Sequence, residues 1–260
     1  MSSNEPLYEK ISKSVAHHEQ DLADICKKIH ENPEFNYKEF KAHDNICDLM
    51  HRLGYNVKRS AYGIQTSFEV ESGQNGKLIV FNAEYDALPG LGHACGHNLI
   101  ATSSIAAFIA TAETIRSLNI PGRVRLLGTP AEEGGGGKVH LIKAGAYEGV
   151  DACLMAHPTG RLSPQGEKNI DGVSAARSSN VTYCVPGIHP MFAVGTQDPM
   201  IQPHTPKFAE AAGTREAFER ALDCAKGLAA TACEMLLESE LMDQARDEFK
   251  RDVEPIGYRL

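Results

Sequence analysis

The sequence lacks any run of lysine or arginine that would follow a nucleic-acid backbone. Its formal net charge is −8 at pH 7, and a surface with this excess of acidic groups does not attract phosphates. We therefore expect no nucleic acid among its partners. The amino-terminal stretch MSSNEPLYEKISKSVAHHEQ lacks the apolar core of a secretion signal. The most apolar helix, around residues 99–115, is interrupted by Thr, Ser and Glu, so no bilayer-spanning segment and no membrane partner are expected.

The cysteines also lack a disulfide-like framework, since there are seven of them and they are scattered along the chain. We interpret them as reduced thiols of a cytoplasmic protein. Six have apolar neighbours and are predicted to be small core residues: Cys26, Cys47, Cys153, Cys184, Cys224 and Cys233. Cys95 differs from these six, because it lies between His93 and His97 in the stretch GLGHACGHN.

Apolar residues recur at helical spacing over residues 8–29, 38–53 and 215–237, which predicts amphipathic helices there. Predicted strands come from TSFEVESG, KLIVFNAEY, GRVRLLGTP and DACLMAHP, with two further short ones in VTYCVP and PMFAVG. This alternation predicts an α/β sandwich, with a mostly parallel central sheet and helices on both faces. We expect one domain over 1–260, in which 159–180, rich in Gly, Ser and Pro, forms an irregular linker.

Chemically active side chains follow the predicted strands at their carboxyl ends. His93, Cys95 and His97 come after KLIVFNAEY, the pair Glu132-Glu133 follows RVRLLGTP, and His157 follows DACLMA. Because the carboxyl ends of parallel strands share one edge of a sheet, these groups are expected to converge. Adjacent carboxylates point in different directions, so one can bind a metal ion while the other acts as a base.

Each of these groups also has a simpler explanation. The two glutamates would suit the start of a helix as a solvated acidic pair, His157 would suit a buried strand end, and His204 an exposed loop. The glycines of residues 134–137 lack the spacing of a phosphate-binding loop, so nucleotide binding is not expected. Glycines let the backbone pass close to a crowded site, and this favours the functional interpretation of the acidic pair.

Three long segments together resemble the M20 metallopeptidase superfamily, in particular its amidohydrolase branch of aminoacylase-like and indole-acetyl-amino-acid hydrolase-like enzymes. The segments are AEYDALPGLGHACGHN, GTPAEEGGGGKVHLIKAGAYEGVDACLMAHP, and VPGIHPMFAVGT with the later HTPKFAEAAGT. The resemblance implies a zinc-peptidase-like α/β sandwich that cleaves an amide bond of a small N-acyl amino acid or peptide-like substrate. Water would be activated by two divalent metal ions.

The resemblance also implies a role for each matching residue. Glu132 would be the general base, and Asp86 would orient a metal ligand from behind. The metal ligands would be Cys95, His97, Glu133, His157 and His204. A thiolate can bridge two cations and favours zinc, with manganese or cobalt as alternatives.

The sequence departs from this family after His157. Members carry an inserted lid domain that also forms the dimer interface, whereas here only about thirty residues separate His157 from His189. Arg177 stands where the family has an aspartate. We therefore expect a chain without a lid domain, in which loss of oxyanion support impairs hydrolysis. The alternative hypothesis is a relative that binds metal or a partner without turnover. A closed structural zinc site is disfavoured, because such a site does not require an unligated carboxylate, here Glu132, beside a ligand.

Overall fold

A computed structural model describes residues 5–160, 180–195 and 201–253 of the chain. Six strands form the central sheet and two more form a small parallel pair. The strands are β1 (Val57–Arg59), β2 (Phe68–Gln74), β3 (Leu78–Ala83), β4 (Gly122–Gly128), β5 (Ala152–Leu154), β6 (His157–Thr159), β7 (Gly187–Ile188) and β8 (Met191–Ala193).

The order in the central sheet is β1-β2-β4-β3-β5-β7. Strands β4, β3, β5 and β7 run parallel to one another. At one side of the sheet β2 pairs antiparallel with β4, and β1 pairs antiparallel with β2. The small sheet pairs β6 with β8, with His157 opposite Met191. The carboxyl ends of β3, β4 and β5 therefore lie side by side at one edge of the central sheet.

Strand β3 is buried on both faces, as the continuous apolar run LIVFNA predicts. Successive side chains alternate between two cores because a strand has a period of two. Ile79 and Phe81 belong to the large core with the amino-terminal and long helices. Leu78 and Val80 belong to a smaller core with Leu141 and other residues on the opposite face. The predicted α/β class, with helices on both faces of the sheet, is confirmed.

The helices are α1 (Glu5–His17), α2 (Glu19–Glu31), α3 (Phe40–Arg52), α4 (His97–Leu118), α5 (Glu132–Gly135), α6 (Gly137–Lys143), α7 (Pro206–Ala212), α8 (Arg215–Leu237) and α9 (Ser239–Val253). Helix α4 lies at the centre and packs on the sheet, α1, α2 and α8. By length and composition it is apolar enough to cross a membrane, contrary to our expectation, because Thr and Ser interrupt its apolar character only weakly. Its most apolar window is 94% buried within the protein.

Three local predictions were wrong. The helix predicted over residues 8–29 is two helices that meet at His18, and the apolar period continues across the junction. The segment VTYCVP was predicted as a strand, but its first residues form a 3₁₀ turn, Asn180–Tyr183. There Val185 N–H bonds to the Val181 carbonyl, a local turn contact that excludes strand pairing. Cys184 is exposed and is not a core thiol, whereas Cys224 is half-buried and packs against the large core. The linker predicted at 159–180 lies almost wholly outside the described residues.

A tight backbone contact beside α6 makes Gly137 sensitive to substitution. A Cβ atom added there would lie 1.8 Å from the Pro130 carbonyl oxygen, and backbone cannot move aside as a side chain can. We expect Gly137→Ala to lower the free energy of unfolding by about 1–3 kcal/mol, measured by urea denaturation. The matched control is Gly227→Ala in the middle of α8, where an added Cβ meets nothing within 4 Å. It should stabilise by roughly 0.5–1 kcal/mol. Equal effects of the two substitutions would contradict this prediction.

Candidate metal centre

The candidate ligands and acids lie at the carboxyl ends of adjacent strands. Glu84 and Asp86 follow β3, and Glu132 and Glu133 follow β4 in the first turn of α5. Cys95 lies two residues before His97, the first residue of α4, and His157 begins β6. The parallel half of the sheet therefore brings together segments that are far apart in sequence.

Two groups of potential ligands share one thiol. Cys95, His97 and His157 form one group, and Cys95, Glu133 and His204 form the other. Within each group the potential ligand atoms all lie within 4.8 Å of one another. All five residues proposed as ligands from the sequence are thus close together, with Cys95 at the junction of the two groups.

Individual distances support this arrangement. The Cys95 Sγ atom is 3.4 Å from His157 Nε2. Glu133 Oε1 lies 3.3 Å from His204 Nε2 and 3.7 Å from His97 Nε2. The two separations from Glu133 Oε1 are longer than direct N–H···O hydrogen bonds between well-oriented groups. Ligand atoms that surround a cation must stay a few ångströms apart, so the spacing leaves room for one.

His204 reaches the site by an unusual backbone conformation. Its φ is +66°, in the left-handed region that side chains other than glycine rarely adopt. Its N–H donates to the carbonyl of Ala94, the residue before Cys95, over 2.7 Å. This bond ties the loop before α7 to the loop before α4, and the imidazole is directed towards Glu133. Such local strain concentrates at functional sites.

Asp86 lies behind the candidate ligands and contacts two of them. Its Oδ1 is 3.1 Å from His97 Nδ1, and its Oδ2 accepts the backbone N–H of Glu133 over 2.9 Å. Burial would raise the pKa of this carboxyl, but the neighbouring His97 and these hydrogen bonds lower it to about 2. An ionised Asp86 fixes the orientation of His97 and leaves Nε2 facing Glu133, as an outer-shell partner does in metal sites.

Unsatisfied buried atoms indicate that this donor set suits a cation. In the described parts of the chain, His97 Nε2 and Glu133 Oε1 are both buried without a hydrogen-bond partner. Buried polar atoms are normally paired, so two that face each other call for an explanation. Nitrogen, carboxylate and thiol donors are the ligands that zinc and related divalent ions prefer. The residues present therefore fit a metal centre.

The two adjacent glutamates differ in environment. The side chain of Glu133 is 12% exposed and points towards the ligand groups, whereas that of Glu132 is 36% exposed. Glu132 belongs to neither group that contains Cys95, but it forms a third group of potential ligands with Glu84 and His97, and its Oε2 lies 3.9 Å from His97 Nε2. Burial and the charge of Glu84 raise the pKa of Glu132. The pair thus provides one inward carboxylate and one accessible carboxylate.

Sequence reasoning gave no role to a buried ion pair beneath the site. Glu84 is 1% exposed, forms an ion pair with Lys138, and has Oε2 3.4 Å from His97 Nε2. Burial alone would raise the pKa of Glu84, but Lys138 and His97 lower it. Two features of the sequence could have drawn attention to these residues. Glu84 stands in AEYDALP at the end of β3, and Lys138 is a single lysine after four glycines. The lysine neutralises one of the carboxylates gathered around His97.

His93 shares the alternating spacing of His97 but lies outside these groups. It is 2% exposed and stacks on His30, with ring centroids 6.2 Å apart. Burial, with a smaller contribution from His97, lowers its pKa to about 3. His93 is therefore held neutral behind the site.

A mixed α/β sheet that gathers thiol, imidazole and carboxylate side chains at the ends of its parallel strands has the architecture of a metal-dependent hydrolase. The comparison with known families specifies this class further. Residues 80–252 match the family described as Peptidase family M20/M25/M40. The chain belongs to this family, which confirms the resemblance seen in the sequence.

Individual relatives are similar over part of their length. The chain is 36% identical over 168 residues to the Xaa-Arg dipeptidase of Mus musculus, covering 60% of this chain and 39% of that protein. It is 32% identical over 169 residues to a component of the p-aminobenzoyl-glutamate hydrolase of Escherichia coli (strain K12), covering 58% and 35%. The chain thus spans little more than a third of the length of these curated relatives.

Among solved structures, the Legionella pneumophila LapA aminopeptidase matches with a TM-score of 0.52 at 14% identity, covering 92% of this chain and 74% of that one. At this identity the likeness shows the fold alone. LapB from the same organism gives a similar result, with a TM-score of 0.51 at 13% identity and coverage of 90% and 75%.

Proposed function

We propose that this chain holds two divalent metal ions and hydrolyses an amide bond of a small N-acyl amino acid or peptide-like substrate. The observation that carries the proposal is the position of Cys95, which is common to two groups of potential ligands. Cys95, His97 and His157 would hold one ion, and Cys95, Glu133 and His204 the other. The thiol makes zinc the proposed metal, since soft ligands favour it over magnesium or calcium.

When bound, the ions supply Lewis acidity that lowers the pKa of water and polarises the substrate carbonyl. Glu132 then acts as general base. It accepts a proton from the attacking water as the new oxygen–carbon bond forms, and it delivers that proton to the nitrogen as the carbon–nitrogen bond breaks. Its position supports this role, because the side chain is 36% exposed and lies 3.9 Å from His97 Nε2, within reach of a water molecule beside the ligand groups.

Asp86 has a different task in the proposed mechanism. It holds the Nδ1 side of His97 and the backbone of Glu133, so it aligns one ligand from each group. Glu132 and Asp86 thus divide the work between proton transfer and ligand orientation. Ligand orientation does not require Asp86 to contact the substrate.

The substrate class is proposed from the names of the relatives. Xaa-Arg dipeptidase, p-aminobenzoyl-glutamate hydrolase and IAA-amino acid hydrolase all imply an amide formed with the nitrogen of an amino acid. They differ in the group on the carbonyl side. The shared feature is therefore an acyl group joined to an amino acid, and this is the class that we propose for the chain.

The test combines metal analysis with a substrate panel. Purified chain is loaded with Zn²⁺, freed of excess ion, and analysed for metal by mass spectrometry. We expect two ions per chain. The same sample should release free amino acid from members of a panel of N-acyl amino acids and Xaa-Arg dipeptides. Treatment with a chelator should abolish release, and added Zn²⁺ should restore it.

Two outcomes would contradict the proposal in different ways. Less than one bound ion per chain would remove the metal centre and the mechanism with it. Two bound ions without cleavage of any panel member would favour the alternative of a metal-binding relative that turns nothing over. Restoration by Mn²⁺ or Co²⁺ but not Zn²⁺ would leave the hydrolase proposal intact and correct the metal.

A further inference from the structure

The turn that carries the two glutamates begins with a residue in a constrained conformation. Ala131, directly before Glu132, has φ +58° and ψ 44°, in the left-handed region, and is fully buried. This conformation costs energy for a residue other than glycine, so it persists only where surrounding contacts impose it. The direction in which Glu132 leaves the backbone depends on this residue.

Glu39 provides the contact that holds Ala131. Its carboxylate is fully buried, and Oε1 accepts the N–H of Ala131 over 2.9 Å and that of Tyr37 over 3.0 Å. The hydroxyl of Thr66 donates to Oε2 over 2.9 Å. Three donors from separate parts of the chain thus fix this carboxylate. A carboxylate held this way is a rigid acceptor for the Ala131 amide.

Tyr37 holds the other end of the same turn. Its hydroxyl donates to the carbonyl of Gly135 over 2.6 Å. A Cβ atom on Gly135 would lie 2.5 Å from the Ala131 Cβ atom and 3.0 Å from the Tyr37 ring, so the approach requires glycine. The segment Tyr37–Glu39 therefore contacts the turn on both sides of Glu132 and Glu133.

Glu133 has a support that is independent of Glu39, and the Asp86 carboxylate that provides it also accepts from the Glu132 backbone. The backbone N–H of Glu133 donates to Asp86, so the proposed ligand remains anchored when Glu39 is altered. Glu39 is 92 positions away from Ala131 in sequence, and it belongs to neither ligand group that contains Cys95. Glu39 contacts the backbone at Ala131, the residue immediately before Glu132.

We propose that Glu39 is a positioning residue for Glu132, acting through the Ala131 amide with help from the Tyr37 hydroxyl. The expected effect on catalysis rests on the proposed function. The contact between Glu39 and Ala131 does not, because it is present in the metal-free chain. Displacement of a catalytic group by about 1 Å can cost ~10²-fold in rate. Loss of the contact should therefore lower kcat and leave metal binding and KM nearly unchanged.

The first experiment is amide hydrogen exchange on the metal-free protein. Glu39→Ala removes the acceptor, and we expect exchange at the Ala131 amide to rise roughly tenfold, the effect of one lost hydrogen bond to a charged group. Glu39→Gln keeps the acceptor, because its amide oxygen can receive both N–H groups while its NH₂ donates to Thr66. The Gln variant should exchange within about twofold of wild type.

The second experiment measures kinetics and metal content on the substrate found with the panel above. Glu39→Ala should lower kcat by ~10–10²-fold with KM and two-ion stoichiometry retained, and Glu39→Gln should restore most of kcat. Tyr37→Phe removes only the Gly135 contact and should cause a smaller loss. Tyr62→Phe is the matched control, since it removes a tyrosine hydroxyl bonded to Glu69 on the sheet, and it should leave kcat unchanged.

The outcomes separate this inference from the proposed function. Unchanged exchange at Ala131 in Glu39→Ala would overturn the inference whatever the activity. If Glu39→Ala does not fold, a Glu39→Gln variant with rapid Ala131 exchange or a tenfold loss of kcat would overturn it, because the charge and not the acceptor geometry would then matter. Faster exchange in Glu39→Ala, in a protein whose wild type cleaves nothing, would support the positioning contact and count against the hydrolase proposal.

Discussion

Glu132→Gln should abolish hydrolysis while the chain keeps both metal ions. The amide of glutamine has nearly the same shape as the carboxylate, but it cannot accept a proton from the attacking water. A positioned general base contributes about 10²–10⁴-fold in rate, and we expect kcat to fall by this factor with KM little changed. Metal binding should persist, because Glu132 is in neither ligand group that contains Cys95, although it forms a further group of potential ligands with Glu84 and His97.

The measurement compares release of free amino acid by zinc-loaded wild type and variant, with metal content determined on the same samples. Glu240→Gln, an exposed glutamate in the first turn of α9, is the matched control for loss of one negative charge and should retain full activity. Hydrolysis by Glu132→Gln at the wild-type rate would show that another group accepts the proton. Loss of metal from this variant would instead make Glu132 a ligand.

The fold could be predicted where the apolar period is long and unbroken. Helix α8 was predicted over 215–237 and is observed as Arg215–Leu237, since many turns of one amphipathic face specify it. The secondary-structure prediction was wrong where two consecutive helices share one apolar period, and where a turn is built from residues that favour strands. The junction at His18 leaves the apolar spacing intact, and Val181 and Val185 favour a strand by propensity although a local turn bond joins them.

The proximity of the candidate ligands could be predicted from the sequence, but the contacts that support them could not. Cys95, Glu133 and His157 follow predicted strands, so their convergence follows from the shared edge of a parallel sheet. The ion pair of Glu84 with Lys138 and the bond from Ala131 to Glu39 join separate segments in three dimensions. The sequence marks Glu84 and Lys138 individually by their positions, but no local spacing indicates that the residues of either pair are in contact. These supporting contacts emerged only from the folded chain.

Cys95→Ala should remove both metal ions, whereas His204→Ala should weaken only one. Cys95 is common to the two ligand groups, while His204 belongs to one of them and its side chain is 55% exposed. Loss of an outer-shell partner already costs about 10–10²-fold in metal affinity, and we expect at least this factor at both positions for the loss of a shared direct ligand. Metal content should fall from two ions to less than one in Cys95→Ala, and to one in His204→Ala.

Stability provides a second measure of the same effect. Ligands that bind only the folded state raise the melting temperature, so zinc should raise the Tm of wild type and have little effect on Cys95→Ala. Without metal the two proteins should melt alike, because alanine fills most of the volume of a thiol that binds nothing. Cys233→Ala, a fully buried thiol in α8 outside the ligand groups of the described chain, controls for loss of a core sulfur and should keep two ions. A Cys95→Ala protein that binds two ions with wild-type affinity would mean that the thiol bridges nothing, and the two groups of ligands would then have to be assigned without it.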